Sequence, residues 1–152
     1  MDEDTVDDAP PGASLVNADF VGTGLLVGTS LAAAIAPATF ERVHAVLSCV
    51  LFAVGTGALL WAYALGITRS RTDQVTLTGL FFLGDGAARP EIRRPLRIAL
   101  AVQVVAVVAA ASVRPYTEVA FGVLAPMFGL GLMGAWGGRH GTFADRPAKE
   151  AA

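Results

Sequence analysis

Most of what marks a catalyst or a soluble domain is scarce or missing in this chain of 152 residues. Only 16% of it is charged, against about a quarter in an ordinary soluble domain. There is one cysteine, Cys49, so no disulfide can form within the chain and the redox compartment stays open. There is one lysine, Lys149, beside ten arginines. With abundant Ala, Gly and Val, that bias fits a GC-rich bacterial genome. No HExxH, CxxC, phosphate-binding loop or nucleophile elbow occurs. No metal, cofactor or nucleic acid is therefore expected, and no catalytic residue can be nominated.

What is present is apolar: 54% of the residues are hydrophobic. The charges gather in the first twenty positions, in one central loop and at the C-terminus, and leave four apolar blocks nearly free of them. A transmembrane barrel needs alternating segments of about ten residues, and these blocks do not alternate. The expected fold is all-α, an integral membrane four-helix bundle with spans at about 20–36, 44–67, 96–113 and 117–136. A disordered acidic tail is expected over 1–18, because it has no apolar area to bury. A flexible tail is expected over 139–152. The acidic start also argues against a cleaved signal peptide, which wants a basic n-region.

In block one Asn17 and Asp19 are candidate N-caps. Gly24, Gly28 and Ala32 fall four residues apart and form a small-residue face. Block two repeats the device with Ala45, Cys49, Ala53 and Gly57, and places Trp61 and Tyr63 near its far end as interfacial anchors. The two faces invite a close antiparallel hairpin. The central connection carries an apolar island, VTLTGLFFL over 75–83. It is too short to span and is expected to be interfacial, re-entrant or laid against the bundle.

Block three contains Gln103, the one amide or ionisable side chain expected inside a span. It could line a polar route, or simply make an interhelical hydrogen bond. Block four is crowded with glycine. Pro126 removes the helical bond to the carbonyl of Gly122, which reads as a hinge, a coordinating carbonyl or a static kink. Gly134 and Gly138 form a GxxxG at its end and suit close helix contact. Arg93, Arg94 and Arg97 border block three, where they set topology and can meet anionic lipid head groups or an acidic partner surface. His44 reads as a solvated loop residue, and no acid or base is expected within a span. Proton-coupled transporters usually carry one, so transport is disfavoured.

Four spans put Arg69, Arg71, Arg89, Arg93, Arg94, Arg97, Arg139, Arg146 and Lys149 on one side and only Arg42 and Arg114 on the other. The Lys/Arg rule then places both termini in the cytoplasm. The stretch FGVLAPMFGLGLMGAWGGRHGTF, with the arginine loop before it, resembles uncharacterised small four-helix membrane proteins of actinobacteria. The resemblance covers about residues 76–143. It implies a plasma-membrane location and says nothing of chemistry.

The function expected is therefore non-enzymatic: an accessory or assembly subunit of a membrane complex, acting through helix packing on other membrane proteins or on itself. The alternative is a small oligomeric channel or transporter using the Pro126 break and Gln103. A lipid-acting enzyme would have only Asp85, Glu91, His140 and the arginines to draw on, and their spacing specifies no reaction.

Overall fold

The computed structural model describes residues 11–84 and 86–146. The acidic residues of 1–10, Asp85, Lys149 and Glu150 lie outside that range. The described chain is helical: α1 (Ala13–Ile35), α2 (Pro37–Arg69), α3 (Leu77–Phe82), α4 (Pro90–Val113), a 3₁₀ segment (Glu118–Leu124) and α5 (Met127–His140). Four helical stretches are long and apolar enough to cross a membrane, the 3₁₀ segment and α5 counting as one.

The helices outrun the apolar blocks. α1 starts at Ala13, with Gly12 in the left-handed N-cap position (φ 76°). Asn17 and Asp19 are thus inside the helix and cap nothing, which corrects the expectation for them. The physical reason lies in Leu15 and Val16, which pack against Leu83, Leu96 and Trp136 and so extend the helix below the apolar block. The turn expected between blocks one and two shrinks to Ala36. Pro37 occupies the first turn of α2, where its missing N–H costs nothing, while it keeps the preceding residue out of the helical region. α2 has 33 residues, about 50 Å at 1.5 Å per residue. That exceeds the roughly 30 Å of a hydrocarbon core, so in a bilayer it would tilt or protrude.

α1 and α4 run parallel: Asp19 and Thr23 meet Gln103 low on the pair, and Ala34 meets Arg114 at the other end. α2 and α5 also run parallel, with Gly122 against His44, Gly131 against Gly55 and Gly138 against Leu65. Leu26, Leu51, Val107, Ala125, Phe128 and Leu132 fill the middle of the bundle. Outward lie Phe20, Val21, Leu25, Leu31, Ile35, Val46, Val50 and Val54, all exposed. Apolar surface on that scale marks an interaction with lipid or with other proteins.

The apolar island forms α3, which packs against α5. Thr76 caps it by accepting from the Gly79 N–H at 2.9 Å. Leu83 ends it in the left-handed region (φ 52°) with its side chain fully buried. The burial holds a conformation that costs a non-glycine residue roughly 1–2 kcal/mol. Residues 141–146, expected as part of a flexible tail, lie back along the central connection. Thr142 N–H donates to Ala87 O at 3.0 Å, Gln74 N–H to Ala144 O at 2.8 Å and Arg146 N–H to Thr72 O at 2.8 Å. Arg69 sits 5.0 Å over the Phe143 ring and donates to Gly138 O.

Candidate functional site

The glycines divide into two sets. In α5 nearly all are used up by neighbours. A Cβ on Gly131 would strike the Gly55 carbonyl of α2, and one on Gly55 would strike the Phe128 backbone. A Cβ on Gly134 would lie 2.6 Å from the Phe81 ring, and one on Gly138 3.2 Å from Leu65. Such approach is open only to glycine, which explains the composition of the last helix.

Gly24 and Gly28 belong to the second set. Both are exposed, and a Cβ on either would meet nothing within 4 Å. Cys49, Ala53 and Gly57 on α2 are exposed as well. The two small-residue faces therefore do not zip the α1/α2 hairpin together, contrary to expectation. Of the expected α2 stripe only Ala45 is buried, and the buried face of α2 is His44, Ala45, Ser48, Leu51, Gly55, Ala62 and Gly66. A one-residue offset turns a face by about 100°, so a stripe four residues apart fixes that a face exists but not where it points.

Pro126 does not kink a continuous helix. It is the N-cap of α5, just beyond the 3₁₀ segment. The Gly122 carbonyl expected to be free accepts from Ala125 N–H at 3.0 Å. The tighter 3₁₀ pattern recovers the bond that proline denies to the α-helix. What Gly122 contributes is room: a Cβ there would lie 2.6 Å from His44 Nε2.

His44 is therefore no loop residue. It sits inside α2, fully buried, with Nδ1 3.2 Å from Thr29 Oγ1. The nearby Ser48 hydroxyl is buried without a hydrogen-bond partner among the described residues.

Gln103 is fully buried too, and it is not alone. Its Nε2 donates to Asp19 Oδ1 at 3.1 Å and to Thr23 Oγ1 at 2.7 Å. Asp19 and Thr23 are one turn apart on α1 and face α4 together. Asp19 is 0% exposed. This corrects the expectation that no acid lies within a candidate span, and with it the argument against transport. The carboxylate was hidden in the sequence by its neighbours, since it follows an acidic run and precedes the apolar block. The spacing of Asp19 and Thr23 at i, i+4 was the one available signal. Gly129 of α5 closes the cluster, where a Cβ would lie 2.8 Å from Gln103 Oε1.

The two polar clusters, at Asp19 and at His44, are about ten residues apart along α1, or roughly 15 Å. Leu26, Leu51, Val107 and Phe128 lie among the side chains of the bundle core between these positions. Arg97 donates to Phe82 O at 2.8 Å and so ties α4 to the end of α3. Arg94 is exposed and Arg93 half-buried beside it. No group of three or more His, Cys, Asp or Glu suited to a metal occurs among the described residues. Set against family models, curated proteins and solved structures, the chain finds no match in any of the three.

Proposed function

We propose that this is a multi-pass plasma-membrane protein that works by helix packing, as an accessory or assembly subunit of a membrane complex. The observation that carries the reading is the exposed Gly24 and Gly28 face of α1, with nothing within 4 Å of either position. Glycine costs a helix roughly 1 kcal/mol against alanine. Within the bundle that cost has a return at Gly22, Gly55 and Gly131, which close on neighbours; at Gly24 and Gly28 the return requires a helix from outside. Both termini face the cytoplasm by the nine-to-two Lys/Arg bias. α3 then lies on the cytoplasmic side as an interfacial or re-entrant piece, and Arg93 and Arg94 reach anionic head groups. The resemblance to actinobacterial membrane proteins supports the location.

The test is capture from native membranes in a mild detergent, with wild type and a Gly24→Leu/Gly28→Leu variant in parallel. A discrete complex with the wild type, lost in the variant while the protein itself stays folded, is expected. Recovery of monomer alone with both would refute the reading. Reporter fusions at Ala38 and Ala152 test the orientation, and a signal from the non-cytoplasmic side at Ala152 would overturn it.

A second reading, a small channel or transporter, is favoured by one observation: a buried carboxylate in a candidate span, bonded to Gln103. Flux through proteoliposomes that disappears in Gln103→Leu would support it.

A further inference from the structure

Counting donors and acceptors in the Asp19 cluster leaves a deficit of positive charge. The Gln103 amide has two N–H groups, and both are committed, to Asp19 Oδ1 and to Thr23 Oγ1. Two acceptor oxygens remain, Asp19 Oδ2 and Gln103 Oε1, each buried and without a hydrogen-bond partner among the described residues. Both side chains are 0% exposed. A buried acceptor without a donor gives up its bonds to water and gets none in return. The greater cost is the carboxylate's charge, which in an apolar interior demands a counter-charge or neutralisation.

Among the described residues no side chain supplies it and Asp19 has no ion pair; the salt bridge found there is Arg69 with Asp73. From α4 the cluster receives Gln103, from α1 Thr23, and from α5 the bare backbone of Gly129. The titratable side chains placed along α1 are His44, which bonds Thr29, and His140, which lies against Gly12. Each is seven or more residues from Asp19 along the helix, about 10 Å or more. On α4, Arg97 precedes Gln103 by six residues, about 9 Å, is exposed and donates to Phe82 O. None of the three is bonded to the cluster.

We propose that Asp19, Thr23 and Gln103 form a binding site for one small positive charge, a proton or a sodium ion, within the helix bundle. Both are hard acids that take oxygen donors. A proton would reside on Asp19 Oδ2. A sodium ion would draw on Asp19 Oδ2, Gln103 Oε1 and the Thr23 hydroxyl. Gln103 also positions the site: its two N–H bonds hold the carboxylate and the hydroxyl in place and leave Asp19 Oδ2 and its own Oε1 uncommitted. The site goes beyond the packing reading and does not need it. It would give the transport reading its coupling ion, although binding can be measured without any flux.

The experiment uses the full chain in lipid nanodiscs, with choline chloride or sodium chloride at equal ionic strength. A hydrophobic carbodiimide, which reacts with protonated carboxyls in apolar surroundings, is followed by peptide mass spectrometry. The unfolding midpoint is measured under the same conditions. Modification of Asp19 in both salts, with no sodium effect on the midpoint, identifies a proton site. Modification suppressed by sodium, with a midpoint that rises with sodium, identifies a sodium site. Asp19→Asn should abolish either signal, and Gln103→Leu should weaken the sodium effect at least tenfold in concentration. Absence of Asp19 modification together with a midpoint indifferent to sodium overturns the proposal. That outcome is read on wild-type protein, so a variant that fails to fold does not obscure it. Loss of partner capture in the glycine variant would leave this result untouched.

Discussion

The α2/α5 seam and the α1/α4 seam are built from the same kinds of residue and work in opposite ways. At α2/α5 the glycines are interior, and the backbones touch at Gly55 and Gly131. At α1/α4 the interior contact is polar, made by Asp19, Thr23 and Gln103, while Gly24 and Gly28 of α1 point outward and Gly22 closes on Phe128 of α5. The difference teaches that glycine content does not by itself say which surface is tight. A glycine face contributes where a neighbour closes on it. A polar side chain serves in a low-dielectric seam where its partner closes on it.

The largest effect should come from filling the backbone contact. Gly131→Leu puts a side chain where the Gly55 carbonyl lies, and overpacking costs typically 1–3 kcal/mol and more when backbone must move. We expect little or no monodisperse protein, read by size-exclusion chromatography in detergent. A well-behaved Gly131→Leu protein would mean that the two seams do not differ in tightness.

Next is the polar seam. Gln103→Leu leaves Asp19 and Thr23 without their donor, at about 2–3 kcal/mol in unfolding experiments. Asp19→Asn in the same background should recover part of that loss. A coupling above about 0.5 kcal/mol in the double-mutant cycle is expected for groups in contact, and additive effects would dissolve the seam as a unit.

A smaller effect is expected from the His44 cluster. Thr29→Val removes a single interhelical bond of the kind worth roughly 0.6 kcal/mol on average in a membrane protein. A loss above about 2 kcal/mol would show a tighter network around His44 than its one bond accounts for.

The smallest effect on stability should come from the outward face. Gly24→Ala and Gly28→Ala add a Cβ into open space and replace a poor helix former, so a monomer should gain up to about 1 kcal/mol each. A loss instead would mean that these glycines are already in contact within the bundle. Read with the capture experiment, these variants separate the bundle's own needs from those of a partner.

The four long apolar helices were legible because an apolar run of membrane length is a local property. The helix ends were less legible. Leu15 and Val16 lengthen α1 only because Leu83 and Trp136 lie beside them, and those neighbours come from far along the chain. The candidate site was half legible. Gln103 stood out as an amide in an apolar block, but Asp19 was indistinguishable from a charge at a helix entrance. His44 read as solvated because it follows Glu41 and Arg42, although one face of its helix is deeply buried.

Length and hydropathy along the chain therefore determined that there are four long helices and roughly where they stop, since both depend on residues near in sequence. Rotation of each helix about its axis was decided by tertiary contact alone. A turn of about 100°, one residue's worth, is enough to separate a buried carboxylate from a solvated one, and a closed glycine from an open one. That angle is fixed only when Phe128, Gln103 and Gly131 meet their partners across the bundle.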